Sequence, residues 1–309
     1  MNPPAVTELT GVPAPAKVNL FLHITGRRED GYHLLQSVFA LTDWCDRLDF
    51  RWRADGQVVR HDTLPGLLPD NDLCVRAARA LQAATGCSQG ADIMLDKQLP
   101  AEAGLGGGSS DAASTLLALN RLWDLRLSRR SLMEIGVRLG ADVPFFIGGH
   151  SAWVEGIGEQ ITPVRLPQVR LLLVKPPAGA STQRIFGSPE LKRDSKTAIL
   201  RGFAANDTQN GVARWRIPDL KVLLDWGRND MQPVAQALCP DVGHCINWLK
   251  SLGLQGRMSG SGTAVFAVLP ETADGGDAGF KAPAAPEADW IVRVCSIRDV
   301  HPLADWASD

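Results

Sequence analysis

The stretch that most constrains this 309-residue chain is Pro100–Ala113, Pro-Ala-Glu-Ala-Gly-Leu-Gly-Gly-Gly-Ser-Ser-Asp-Ala-Ala. Glycines stand at 104, 106, 107 and 108, and Ser109, Ser110 and Asp111 follow at once. Glycine reaches positive φ without a steric penalty and lets a ligand approach the backbone. The alanine- and leucine-rich run Ala112–Trp123 behind it suits a helix. Ser109 or Ser110 is a good N-cap for that helix, and Asp111 in its first turn suits the dipole. A glycine loop ending on a helix N-terminus offers free N–H groups to an anion, with a nucleotide phosphate as natural occupant. It is not a Walker A loop, because no Gly-Lys-Ser/Thr follows. Nor is it the dinucleotide fingerprint, since Ser109 stands where the third glycine belongs. Taken alone, the stretch also fits a glycine-rich helix entry with no ligand.

Composition narrows the classes. A chain of this length suggests two domains, each able to bury a substantial core. A net charge of −2, with no long Lys/Arg run, excludes a strongly basic nucleic-acid binder. Arg129-Arg130 reads as a solvated face at a helix start. The first eleven residues have neither a positive n-region nor an apolar h-region, so no signal peptide is expected. The apolar run Leu171–Val174 is far too short to span a bilayer. No partnership with nucleic acid or membrane is expected, and a cytoplasmic location is. The six cysteines form no CxxC pair and have no zinc-like histidine spacing. They read as small buried hydrophobes in a reducing compartment, and no protein metal site is implied.

Along the chain, Ala14–Thr25 alternates. Val18, Leu20, Leu22 and Ile24 face one way and Lys17, Asn19, Phe21 and His23 the other, the pattern of a half-buried strand. Arg27–Gly31 is a turn, and Val38–Arg53 gives one or two strands. Asp70-Asn71-Asp72 offers an N-cap to a helix over Leu73–Thr85, which Gly86 ends. Asp92–Leu99 is a short strand leading to the glycine loop. Helices over Ser109–Trp123 and Ser128–Leu139 follow, then a strand pair over Ser151–Val164 around Gly156 and Gly158. The second domain starts near Arg165, dividing the chain into residues 1–164 and 165–309, with Leu171–Lys175 as its first strand. Ser188–Gln209 is polar and poorly periodic, the pattern of a mobile linker. Helices are expected at Pro218–Trp226, Met231–Cys239 and Val242–Leu252, and strands at Gly260–Leu269 and Trp290–Arg298. Glu271–Asp289, rich in Gly, Ala and Pro, reads as surface. Early strands without regular βαβ alternation favour an α+β fold.

Three further stretches carry polar residues that a plain fold would not need. Lys17 and Asn19 share a strand face between apolar neighbours. Asp142 sits among small and apolar residues just past a helix end, where a lysine such as Lys17 would keep a buried carboxylate ionised. Its bland role is an N-cap for a turn begun by Val143-Pro144. Met258-Ser-Gly-Ser-Gly-Thr263 is a second small-residue loop. A lysine–aspartate pair beside a phosphate loop has a use in phosphoryl transfer. The aspartate orients or deprotonates an attacking hydroxyl, while the lysine and the helix N-terminus stabilise charge on the moving group.

Pro-Ala-Lys17-Val-Asn19-Leu, the Pro100–Ala113 stretch and Ser259-Gly-Ser-Gly-Thr263 resemble, in order, the three motifs of the GHMP kinases, which include galactokinase, homoserine kinase and mevalonate kinase. Ile24-Thr-Gly-Arg-Arg-Glu-Asp-Gly-Tyr32-His33-Leu and Leu139-Gly-Ala-Asp142-Val-Pro-Phe-Phe resemble one branch of that family. Its acceptor is a methylerythritol carrying a cytidine diphosphate, and it belongs to the non-mevalonate isoprenoid pathway. The likeness runs, with gaps, from about Pro13 to His301. It implies a two-domain α+β GHMP kinase fold with the active site in the cleft between domains, and ATP-dependent phosphorylation of the acceptor's 2-hydroxyl. Carried over by position, Asp142 is the base, Lys17 its ionic partner and Asn19 a substrate holder. Tyr32 stacks on the cytosine, His33 reads its edge, and Thr182-Gln-Arg-Ile-Phe186 places Phe186 on the other face. Gly104, Gly106, Gly107, Gly108, Ser109 and Ser110 cradle the ATP phosphates within a loop that includes Pro100 and Leu105, with Lys97 near the nucleoside. Asp72 stands where the family has an asparagine for the adenine, so the contact is altered or passes to Asn71. Mg²⁺ is implied by the chemistry, with ATP itself supplying most of its ligands. A monomer or weak homodimer is expected. Another small alcohol as acceptor, or a non-catalytic ligand sensor on the same fold, are the alternatives.

Overall fold

Two long strands form the spine of the computed structural model, which describes residues 5–61, 71–209, 212–270 and 282–309. β1 (Glu8–Arg27) and β2 (His33–Arg53) pair antiparallel from end to end. The turn between them is closed by Arg28 N donating to Tyr32 O at 2.8 Å. β3 (Val58–Arg60), α1 (Leu73–Thr85), β4 (Gly90–Asp96), α2 (Gly107–Leu122), α3 (Arg129–Gly136) and α4 (Val143–Gly148) follow. Next come β5 (Ala152–Glu155), β6 (Gln160–Arg165), β7 (Arg170–Lys175), α5 (Thr182–Gly187), β8 (Ala205–Gln209) and β9 (Val212–Arg216). The last part holds α6 (Leu220–Trp226), α7 (Gln232–Leu238), α8 (Pro240–Ser251), β10 (Arg257–Met258), β11 (Val265–Val268) and β12 (Ile291–Arg298).

The strands make one mixed sheet in the order β10-β11-β7-β12-β2-β5-β6-β9-β8, with β1 and β4 also on β2 and β3 on β4. This is the α+β class expected. The helices α1 to α4 bury Phe39, Leu41, Leu48 and Phe50 under Leu116, Leu119, Phe145 and Phe146. A second cluster joins Val18, Leu20 and Phe21 of β1 to Leu171, Leu173, Phe266 and Ile297, and a third packs Leu172, Val174, Val234 and Leu249. Where signals are local, the sequence reading holds. α1 spans the expected residues, with Asp72 Oδ1 accepting from the N–H of Cys74 at 2.8 Å and of Val75 at 3.2 Å. Gly86 closes it in the left-handed conformation at φ 69°.

Four expectations are corrected. Ala14–Ile24 is buried on both faces rather than half-buried, because β1 runs through all three apolar clusters. α2 starts at Gly107 with Gly106 as N-cap, so neither Ser109 nor Ser110 caps it and Asp111 lies beyond its first turn. The segment 188–209 is packed, not a linker. Leu191 and Ser195 are buried, Ser195 N donates to Ile24 O at 3.0 Å, and Ala205–Gln209 pairs with Val212–Arg216. Arg130 is solvated as expected, but Arg129 reaches inward to the carbonyls of Ile147, Ala304 and Ala307. Residues 271–281 of the glycine-, alanine- and proline-rich stretch lie outside the described residues. All six cysteines are free, and Cys74, Cys239, Cys245 and Cys295 are buried.

Arg129 anchors a C-terminal segment that returns to the first core, where Leu303 and Ala307 are buried. His301 at its start is 2% exposed, and its Nδ1 accepts from Leu303 N at 3.0 Å. Burial, then the charge of Arg129, pushes its pKa down from 6.5 to about 3. The folded chain therefore binds fewer protons there than the unfolded chain. The stability this neutral ring contributes is complete above pH 6.5 and is lost as pH falls from 6.5 towards 3. Urea midpoints measured at pH 7, 5.5 and 4.5 should decline in that window, and His301→Gln should flatten part of the slope. Parallel slopes for the two proteins would refute the assignment.

Candidate active site

Because α2 begins at Gly107, the glycines themselves form its first turn. Ser110 N makes the first intrahelical bond, to Gly106 O at 2.9 Å. The N–H groups of Gly107, Gly108 and Ser109 precede it and have no partner inside the helix. Gly106, at φ 71°, has no side chain to cap them. Gly107, Gly108 and Ser109 line a cavity of about 430 Å³, together with Asn71, Asp72, Lys97, Pro100 and the loop from Gly104 to Gly106. Ser110 lies behind this lining, wholly buried, with its hydroxyl unpartnered.

The loop is held by the third motif. A Cβ on Gly104, at φ +74°, would lie 2.0 Å from Ser259 O, and one on Gly262 would lie 2.0 Å from Gly104 N. Backbone presses on backbone, which only glycine permits. Ser259 Oγ donates to Gly104 O at 2.9 Å and accepts from Asn19 N at 3.1 Å, so one hydroxyl ties all three motifs together. A second cavity, which shares Glu102 and Gly104 with the first, is lined by Ser181–Arg184, Ser261 and Gly262. Thr182 Oγ1 and Ser261 Oγ stand 2.7 Å apart across it.

Register irregularities in β1 fall at Pro15/Lys17 and Asn19/Leu22. Between them Lys17, Val18 and Asn19 face Leu41, Ala40 and Phe39 in strict register. Bulges bend a strand and re-aim its side chains. Here they deliver the 4% exposed Lys17 into the interior. Its Nζ donates to Asn19 Oδ1 at 2.6 Å, lies 4.4 Å from the Phe39 ring centroid and stands 3.5 Å from Asp142 Oδ2. Asn19 Nδ2 in turn donates to Ser37 Oγ at 2.9 Å. Asp142 occupies the N-cap position of α4, yet its side chain makes no cap bond. The carboxylate is left for Lys17 and, at 28% side-chain exposure, for an incoming group. It is half-buried rather than enclosed. Ser109 faces the segment that leads into Asp142, since a Cβ on Gly140 would lie 3.4 Å from its Oγ.

Lys97 lines the first cavity but is also part of its wall. Its Nζ donates to Asp46 Oδ2 at 2.5 Å and to Asp111 Oδ2 at 2.7 Å. Asp46 Oδ1 takes the N–H groups of Gln98 at 2.6 Å and Leu99 at 2.7 Å. Two buried carboxylates thus share one ammonium. Burial draws the Lys97 pKa down, but Asp111 and Asp46 outweigh it and hold it above its ordinary value. Burial pushes the Asp111 carboxyl up, against the pull of Lys97 and with Asp46 adding to it. Nothing in the sequence marks Asp46 or Ser37 as part of this site, because each becomes meaningful only through a partner far along the chain. Asp72, by contrast, spends one oxygen on capping α1, and its other stands 4.0 Å from Arg60 Nε. Asn71 beside it is exposed on the cavity rim.

At the far end of the β1–β2 hairpin, Tyr32 is 61% exposed, so it is not a core residue. His33 stacks on Phe186 with ring centroids 4.8 Å apart and planes at 25°. Burial, then the charges of Arg193 and Arg27, lowers its pKa. The imidazole is therefore neutral at physiological pH.

A phosphate loop locked to a second glycine loop, with a lysine–aspartate pair alongside, defines an ATP-dependent small-molecule kinase of the GHMP class. Residues 72–150 match the model of the GHMP kinases N-terminal domain and residues 216–285 that of the C-terminal domain. The 4-diphosphocytidyl-2-C-methyl-D-erythritol kinase of Verminephrobacter eiseniae is 59% identical over 304 residues, covering 97% of this chain and 98% of its own. That of Polaromonas sp. is 56% identical over 304 residues, covering 96% and 93%. A crystal structure of 4-(cytidine 5'-diphospho)-2C-methyl-D-erythritol kinase aligns with a TM-score of 0.71 at 30% identity, over 94% of this chain and 98% of that one. The crystal structure of homoserine kinase from Cytophaga hutchinsonii, at 14% identity and a TM-score of 0.61 over 97% and 98%, shares the fold. The chain belongs to the 4-diphosphocytidyl-2-C-methyl-D-erythritol kinase family.

The interlock of the two loops is open to test. Gly104→Ala combines an unfavourable φ with a clash against backbone and should cost about 2–4 kcal/mol of stability. It should also weaken ATP binding, measured by calorimetry on the folded fraction. Denaturation and ATP affinity both at wild-type values would refute the arrangement.

Proposed function

We propose that the protein transfers the γ-phosphoryl group of ATP to the 2-hydroxyl of 4-diphosphocytidyl-2-C-methyl-D-erythritol, in the non-mevalonate route to isoprenoid precursors. The observation that carries the reading is Asp142, 3.5 Å from the buried Lys17, beside a helix N-terminus with free N–H groups. The ATP phosphates rest on the N–H groups of Gly107, Gly108 and Ser109, with Gly104, Leu105, Gly106 and Pro100 shaping the loop and Lys97 on the nucleoside side. Asn71 takes the adenine contact, because both oxygens of Asp72 are turned to α1 and Arg60. Asp142 orients the hydroxyl and accepts its proton as the oxygen–phosphorus bond forms and ADP leaves. Lys17, held by Asn19, keeps Asp142 ionised and faces the charge on the moving group.

Among the described residues no three acidic, histidine or cysteine side chains converge on a metal position. Mg²⁺ would arrive on the nucleotide and would neutralise charge on the phosphates during transfer.

The acceptor lies along the hairpin. From Phe39, opposite Asn19, back to His33 is six residues of strand, at most about 20 Å. A polyol, two phosphates and a ribose bridge such a span, whereas homoserine or mevalonate would leave its outer end empty. Tyr32, His33 and Phe186 hold the cytosine there, and Thr182 contacts the acceptor between the two ends. The described residues contain no helix long and apolar enough to cross a membrane. The proposal places the enzyme in the cytoplasm as a monomer or weak homodimer. Residues 1–164 and 165–309 form its N- and C-terminal domains.

ATP consumption with a panel of acceptors tests the proposal. Turnover should require the cytidine-bearing substrate and be absent with homoserine, mevalonate or the polyol lacking cytidine; turnover of one of those instead would overturn the acceptor assignment. Asp142→Asn should lower kcat by roughly 10²–10⁴-fold with ATP affinity nearly unchanged. Full turnover in that variant would remove Asp142 from the role of base.

A further inference from the structure

The segment that the sequence presents as a linker carries Arg193, which no part of the mechanism above uses. Its guanidinium makes four bonds within the acceptor end of the site. Nη2 donates to Phe186 O at 2.9 Å and to Ser188 O at 2.8 Å, and Nη1 donates to Leu191 O at 3.0 Å. Nε donates to His33 Nε2 at 3.0 Å. One side chain therefore fixes both the turn that carries Phe186 and the imidazole stacked on it.

The bond to His33 has a chemical consequence. A guanidinium keeps all five of its protons and offers no acceptor. An imidazole nitrogen that receives its N–H must present a lone pair, so the single proton of neutral His33 sits on Nδ1. Among the described residues Nδ1 has no protein partner, and it remains a free donor. Cytosine presents an unprotonated N3 as acceptor, whereas uracil presents N3–H as donor. A ring locked as Nδ1–H matches the first and sets N–H against N–H with the second.

We propose that Arg193 is a positioning residue that sets the base specificity of the acceptor site, by holding His33 in the Nδ1–H tautomer so that cytosine is accepted and uracil refused. The inference rests on the acceptor reading above, in that a pyrimidine must face His33. The tautomer itself does not depend on that reading.

Two measurements separate the claims. In protein labelled with ¹⁵N-histidine at pH 7.5, long-range ¹H–¹⁵N spectra should show His33 protonated on Nδ1 alone, and Arg193→Met should show a mixture of tautomers. In assays with the cytidine acceptor and its uridine counterpart, the wild type should prefer cytidine through KM. Arg193→Met should reduce that preference about tenfold or more, the scale expected when one buried donor–acceptor match is no longer enforced. Its kcat with cytidine should change less than the preference does, and Arg193→Lys, which restores a donor, should recover part of the preference. A wild-type His33 protonated on Nε2 would overturn the proposal, as would an Arg193→Met variant whose cytidine-to-uridine ratio is unchanged while both rates fall. Should Arg193→Met fail to fold, the wild-type tautomer and the ratio in Arg193→Lys decide alone. A wild type that ignores both acceptors would refute the acceptor reading and with it the specificity role, even with the tautomer as stated.

Discussion

A lysine ammonium taken out of water dictates much of this architecture. Burying an unpaired charge is so unfavourable that the surrounding chain must supply partners with good geometry. Lys17 receives an amide oxygen from its own strand, a carboxylate from the start of α4 and the face of Phe39 across the hairpin. Each partner sits on a different element, so the helical layer and the hairpin are drawn to one point. The bulges on either side of Lys17 turn the strand enough for this to happen without breaking its pairing with β2. The Asp142 oxygen that balances this buried cation belongs to a side chain still 28% exposed, so the pair is reachable from outside.

A second ionic cluster flanks the glycine loop. Lys97 spans from the strand side, where Asp46 gathers two further N–H groups, to the second turn of α2 at Asp111. That bridge sets the depth at which the helix enters its glycine loop, and so the position of the free N–H groups. With Ser259 fastening the other flank, the glycine loop is clamped on both sides by the protein alone. Such preorganisation spares the protein from ordering the loop during binding.

Local signals were legible in the sequence, and long-range ones were not. Asp72 and Gly86 bracket α1 because caps act within a few residues. The glycine loop declared itself because its residue type is demanded by backbone geometry. α2 begins two residues before the serines that the sequence offers as caps, since a glycine N-cap leaves no side-chain mark. The alternation in β1 hides its burial on both faces, because its polar side chains find partners outside the strand: Asn19 Nδ2 donates to Ser37 Oγ, and His23 Nε2 accepts from Arg228 N, 205 positions away. The same blindness made residues 188–209 look like a linker. Their polarity belongs to Arg193 and Ser195, whose partners His33 and Asp230 lie 160 and 35 residues off. Lys17, Asn19 and Asp142 were grouped by resemblance and by chemical logic, and spacing alone could not have joined them.

The junction between the two parts of the sheet is short. β12 lies along β7 over six register pairs but meets β2 at only two, Ile297 with Thr42 and Arg298 with Leu41. Leu41 is also the residue opposite Lys17 on the other side of β2. Leu41 therefore stands between Arg298 and Lys17, so the strand residue that joins the β7–β11–β12 part to β2 is the same one that the buried lysine faces across the hairpin.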